Sequence, residues 1–150
     1  MQELISDPSF AIYVGAAIVL SLNVLGLGNA TALSRTKAGE VVNPEDKKLN
    51  AEASVVFDAG NDATTRYRRA HRNALENVPL FLITGLVLVL VGVSQTVAGI
   101  LFGLFTAARI LHSVCYVKGV QPFRTMFFAI AMLTQVAVLG FIAYGVFFAG

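Results

Sequence analysis

At 150 residues the chain is long enough for one domain, and it is 56% hydrophobic against only 13% charged. That balance excludes an ordinary soluble domain, in which about a quarter of the residues are charged. A net charge of +2, with no interleaving of basic and aromatic residues outside the loops, gives no reason to expect a nucleic-acid partner.

Four runs are long and apolar enough to cross a bilayer, which takes roughly 20 helical residues. The first is "FAIYVGAAIVLSLNVLGLGNATAL" (10–33). Glu3 and Asp7 precede it without any Lys or Arg, and the run outlasts the apolar stretch of a signal peptide, so it reads as a retained helix. The polar connection 34–67 follows. Within it "NPED" (43–46) is a helix-start signal, with Asn43 able to cap, Pro44 suited to the first helical position, and Glu45 and Asp46 favoured at the positive end of the dipole. The second span covers about 68–93, the third 97–117 and the fourth 122–149. "GVSQT" (92–96) is so short that spans two and three form an antiparallel hairpin. "KGVQP" (118–122) makes another tight turn, with Pro122 opening the last helix. Gly99, Gly103 and Ala107 form a ridge of small residues against which another helix can pack. Cys115 is the single cysteine, so no intrachain disulfide is possible, and it reads as a small buried hydrophobe. The expected fold is an all-α membrane protein, one four-transmembrane-helix bundle over residues 1–150. The last span carries no Asp, Glu, Lys or Arg after Arg124, whereas a soluble helix keeps a wet face.

The basic residues orient this bundle. All eleven lie in or project from the first and third connections, while the second connection and both termini have none. Positive residues stay cytoplasmic, which places both termini on the outer or lumenal side.

Charge also enters the spans. Arg69, Arg72, Asn73 and Glu76 are spaced i, i+3, i+4, i+7, one stripe along two helical turns. Arg109, His112 and Tyr116 form a second stripe on the third span, and Arg124 stands in the first turn of the fourth. A charge at mid-membrane depth costs about 2.5–3.5 kcal/mol on insertion scales, so such stripes persist only if paired, wetted or used. Arg66 and Arg68 read as snorkelling to headgroups. The remainder is unbalanced: Glu76 alone faces Arg69, Arg72, Arg109 and Arg124, with His71 and His112 nearby. We expect these stripes to be buried and to converge on a small anionic ligand reached from the cytoplasm. The charges gather at one membrane face and no broken helix pair is evident, which argues against a transporter or channel subunit.

"RAHRNALENVPLF" (69–81) closely resembles the signature of the membrane-associated proteins in eicosanoid and glutathione metabolism, the MAPEG family, nearest to its microsomal glutathione transferase and prostaglandin E synthase branch. "NPED", "ARILHSVCY" (108–116) and "QPFR" (121–124) agree with it in order and spacing, so the resemblance covers nearly the whole chain. It implies a homotrimer binding glutathione between subunits at the cytoplasmic end. Carried over, Arg69, Arg72, Asn73 and Glu76 match ligands on the second span, His112 and Tyr116 those on the third, and Arg35 a first-helix arginine. His71 and Arg109 match family positions of less defined role. Arg124 matches the arginine beside the glutathione sulfur, Thr125 a serine hydroxyl donor, and Asp46 an acid proposed to work with that serine. The implied activity is membrane-bound glutathione transfer or peroxidation on lipophilic electrophiles and lipid hydroperoxides, with glutathione as co-substrate and no metal. A non-catalytic lipid-binding scaffold and a prostaglandin E synthase-like isomerase are the alternatives. Phe128 stands where the eicosanoid synthases carry tyrosine, and Asn77 where the leukotriene synthase pattern has tyrosine, so both specialisations are disfavoured. The implied location is the endoplasmic reticulum membrane of a eukaryote or the inner membrane of a bacterium.

Overall fold

A computed structural model of the chain describes residues 2–56 and 60–148. A short helix α1 (Gln2–Ile5) leads into four long ones: α2 (Pro8–Lys37), α3 (Asp62–Leu90), α4 (Gln95–Lys118) and α5 (Phe123–Phe147). At 1.5 Å per residue even the 24-residue α4 spans about 36 Å, more than the roughly 30 Å hydrocarbon core. All four are long and apolar enough to cross a membrane, and their outer faces carry leucine, isoleucine, valine and phenylalanine. The chain is an integral membrane protein with the expected bundle.

α2, α3 and α4 start before the apolar segments that announced them, because polar caps rather than hydropathy set their starts, while α3 ends at Leu90, short of the expected 93. The Asp7 carboxylate accepts from the Ser9 N–H at 2.7 Å, with Pro8 in the first turn. Asn61 accepts from Thr64 N–H at 3.0 Å, so α3 begins six residues before the expected 68. Ser94 caps α4, and Gly119, at φ 70°, ends it. There Val120 N–H bonds the Cys115 carbonyl and Gly119 N–H that of Tyr116, a Schellman closure. Pro122 stands at the cap just before α5 rather than inside it. The expected end of the last span at 149, and 57–59 of the first connection, lie outside the described residues.

That connection is shorter and more ordered than its composition suggested. Strands β1 (Glu40–Val41) and β2 (Ser54–Val55) pair in parallel around a 3₁₀ turn, Pro44–Lys48. The Glu40 carboxylate accepts from the Asn61 backbone and side-chain N–H groups, both at 3.1 Å, tying the loop to the start of α3.

In the bundle α2 packs on α3 and α4, and α5 on α4 and α3, leaving α2 and α5 at opposite corners. The core is aromatic at its centre: Phe81 and Phe105 stack at 3.5 Å, and Phe102 meets Phe81 and Tyr13 edge-on. Deeper along the same seam Gln135 donates to Thr84 Oγ1 at 3.0 Å. Within the protomer the small ridge of Gly99, Gly103 and Ala107 is not in tight contact with a neighbouring helix. It lines an open groove of about 350 Å³ with Gly15 and Val19. A Cβ on Gly103 would meet nothing within 4 Å.

Candidate functional site

The up-and-down topology brings the last turns of α2 and α4 and the first turns of α3 and α5 to one end of the bundle. Every candidate residue lies at this end, in four groups.

The tightest group joins α4 to α5. The His112 Nδ1 lies 2.9 Å from the Arg124 backbone carbonyl, which can only accept, so the ring proton sits on Nδ1. His112 is 4% exposed, and its Nε2 has no partner among the described residues. Tyr116 stands edge-on to the His112 ring at 5.6 Å, and the Arg124 guanidinium lies over Tyr116, 4.7 Å from the ring centroid, within cation–π range. The hydrogen-bond network orients the Gln121 amide. Its oxygen accepts from Arg124 Nε at 3.2 Å and Nη2 at 2.6 Å, and its nitrogen donates to Thr125 Oγ1 at 3.1 Å. That contact occupies a lone pair of Thr125 and leaves its hydroxyl proton for another acceptor. Gln121 is thus a further residue of this group, beyond those the motifs single out. Its i, i+3, i+4 relation to Arg124 and Thr125 was the available signal.

The second group joins α3 to α4. Arg109 is 1% exposed, and its Nη2 donates to the Asn73 Oδ1 at 2.8 Å and the Asn73 carbonyl at 3.1 Å. Asn77 Nδ2 donates to the same carbonyl at 2.8 Å. With its oxygen held by Arg109, the Asn73 amide can offer N–H donors to a ligand. Nε and Nη1 of Arg109 have no partner among the described residues.

The third group faces outward, against expectation. Arg69, Arg72 and Glu76 are exposed on α3 rather than buried in the protomer, because the buried face of this helix is formed by Ala70, Ala74, Val78 and Phe81. Arg72 Nε and Glu76 Oε1 pair at 3.1 Å with side chains 82% and 55% exposed, a geometry of small intrinsic stability. Arg69, Arg72 and Glu76 therefore do not share a buried pocket with Arg109 within one chain. His71 points elsewhere, onto the backbone of α2: a Cβ on Gly28 would lie 3.3 Å from its Nε2.

The fourth group lies beside α2. Arg35, Glu40, Asp46 and Asn50 line a cavity of about 400 Å³ under the first connection. Asp46 Oδ2 accepts from the Asn43 N–H and amide, each at 3.3 Å. Asp46 and Thr125, expected to cooperate, are each bonded to other neighbours within the protomer.

Chemically, this end presents cations able to hold carboxylates, an exposed acid able to hold an ammonium group, and Arg124 with a free hydroxyl donor beside it.

The MAPEG family model matches residues 10–144. Human microsomal glutathione S-transferase 1 is 33% identical over 134 residues, which cover 85% of this chain and 84% of the relative. The rat protein of that name is 32% identical over the same shares. Horse prostaglandin E synthase is 28% identical over 135 residues, 84% of this chain and 87% of the relative. With the bundle, the motifs and these likenesses in agreement, the chain is a member of the MAPEG family.

Proposed function

We propose that the protein is a membrane glutathione transferase whose site is completed between protomers of a homotrimer. The observation that carries this is the outward stripe. Arg69, Arg72 and Glu76 are not consumed by the protomer's own packing, yet they sit at the same end as Arg124, Thr125 and the Arg35–Asp46 cavity. Charged side chains on an otherwise apolar span are costly unless something covers or solvates them. A neighbouring α2, bringing Arg35 and Asp46, would close that face around a peptide with two carboxylates and one ammonium.

In this reading Arg69, Arg72 and Arg35 bind the carboxylates, Glu76 the ammonium, and Asn73 an amide. Arg124 stands beside the sulfur. A free thiol has a pKa near 8.5, and an adjacent cation favours the thiolate. Lowering that pKa by two units takes about 2.7 kcal/mol of differential stabilisation. The thiol proton leaves to water, Thr125 donates a hydrogen bond to the anion, and His112 and Tyr116 fix Arg124 in place. The sulfur lone pair then forms a C–S bond to an electrophilic carbon, and the leaving group departs with its electron pair. Lipophilic electrophiles concentrate in the bilayer while glutathione arrives from the basic, cytoplasmic side. With a lipid hydroperoxide, two glutathiones are oxidised to the disulfide and the peroxide is reduced to an alcohol and water. Phe128, whose ring lies 5.8 Å from His112, offers no phenol, which favours the transferase over a prostaglandin-type isomerase.

Calorimetric titration of the detergent-solubilised protein with glutathione tests the binding half. Conjugation of 1-chloro-2,4-dinitrobenzene, with release of chloride, tests the chemistry. Arg124→Ala is expected to reduce turnover at least a hundredfold with the oligomer intact. Absence of glutathione binding by the native protein refutes the reading.

A further inference from the structure

A second groove at the basic end has no part in the site above. It runs between α2 and α4, has a volume of about 310 Å³, and is lined by Asn23, Gly26 and Ala30 of α2 and by Ser113, Val117 and Lys118 of α4. That volume is at the lower end of small-ligand sites. The groove exists because Gly26 and Ala30, one turn apart, put almost no side chain opposite Val114 and Val117. A Cβ on Gly26 would meet nothing within 4 Å.

Its polar groups are graded with depth. Lys118 stands at the mouth, in the last turn of α4, and is exposed. The Arg66 guanidinium lies against Gly119, the next residue, so a second cation stands at the same rim. Among the described residues no acidic side chain lines the groove. Five residues deeper along α4, about 7.5 Å, Ser113 Oγ accepts from Asn23 Nδ2 at 3.1 Å and donates its own hydrogen bond to the Arg109 carbonyl at 3.0 Å. Asn23 forms no other hydrogen bond among the described residues, so its second N–H and its oxygen remain for whatever fills the groove. The rest of the lining is Gly26, Leu27, Ala30, Val114 and Val117, with the Tyr67 side chain of α3 as its one further polar group among the described residues.

We propose that this groove is a binding site for one anionic phospholipid. Lys118 and Arg66 take the phosphate and the headgroup charge, the free Asn23 N–H takes an ester carbonyl, and the space left by Gly26 and Ala30 holds the start of an acyl chain. A basic pocket between spanning helices is the expected form of such a site. Charge complementarity selects the anionic lipid over a neutral one, and the apolar floor selects a lipid over a free anion.

The test is native mass spectrometry of the full-length protein in detergent, incubated with equimolar dioleoyl phosphatidylglycerol and dioleoyl phosphatidylcholine. The native chain is expected to retain phosphatidylglycerol in preference. Each cation removed should lower that preference about fivefold, so the Arg66→Gln/Lys118→Gln pair should approach the phosphatidylcholine level. Gly26→Leu fills the groove and should lower retention of both lipids about tenfold. Inorganic phosphate in excess should displace nothing. The proposal is overturned by equal retention of the two lipids by the native chain, or by full retention in Gly26→Leu. Displacement by phosphate overturns it in favour of a free-anion site. A change of oligomeric mass in Gly26→Leu without lipid loss overturns it in favour of a second copy of the chain. The glutamine pair changes only exposed side chains, so it remains informative if Gly26→Leu does not fold.

Discussion

Arg109→Met separates the two roles a buried arginine can have. In the native chain Nη2 holds Asn73 by bonds of 2.8 and 3.1 Å, while Nε and Nη1 have no partner among the described residues. Burying a cation whose other donors are unsatisfied costs stability, and replacing a buried ionic group by an apolar one of similar length is often neutral or stabilising. The Asn73 oxygen left without its donor opposes this by about 1–3 kcal/mol. These terms nearly offset, so unfolding temperature in detergent should change by only a few degrees. Binding should respond differently. Without its anchor the Asn73 amide must be ordered by the ligand, at about 0.5–1.5 kcal/mol for one side chain. Glutathione Kd, read by calorimetry, should therefore rise about two- to tenfold, while turnover at saturation stays close to native. Asn73→Ala combined with Arg109→Met should weaken binding no more than Asn73→Ala alone, because both act through one amide. Unchanged Kd together with a large fall in unfolding temperature would refute the positioning role and leave Arg109 purely structural.

Three other outcomes are expected. Glu76→Gln should weaken glutathione binding several-fold by removing the carboxylate proposed to meet the ammonium group. Equal affinity would mean that Glu76 serves only its 3.1 Å pair with Arg72. Gly85→Ala should destabilise the bundle by about 1–3 kcal/mol, because its Cβ would lie 2.9 Å from Phe102 Cε1 and 3.4 Å from the Tyr13 ring; thermal unfolding measures this, and Phe102→Leu should restore much of the loss. Gln135→Leu should leave stability nearly unchanged in the same assay, since relief of the buried Gln135 Oε1, which has no partner among the described residues, offsets loss of the Nε2 bond to Thr84 Oγ1.

The sequence by itself determined the architecture. Four apolar runs in a chain with few charges have one economical solution in a bilayer, because every backbone polar group in hydrocarbon must be satisfied within its own helix. It also determined which end gathers the candidate residues, since four spans in sequence and clustered arginines leave no freedom about which helix ends meet. The motifs around Arg69–Glu76, Arg109–Tyr116 and Arg124 were legible because helical spacing maps directly onto faces.

Helix limits were less legible. Asn61 and Asp7 start their helices through side-chain hydrogen bonds in segments that hydropathy ignores. The pairing of β1 with β2 was invisible, because four strand residues in a polar loop carry no usable period. Only the tertiary structure decided how the charges are distributed. Spacing alone cannot tell whether a polar stripe faces its own bundle or a neighbour, since that depends on which face of α3 meets α2 and α4. The packing turned Ala70, Ala74 and Val78 inward, exposed Arg72 and Glu76, and buried Arg109 against Asn73. It likewise gave His112 to the Arg124 carbonyl and Gln121 to the Arg124 guanidinium. Such partnerships join α4 to the turn and first residues of α5 at distances near 3 Å, and a one-dimensional pattern contains no measure of approach between elements.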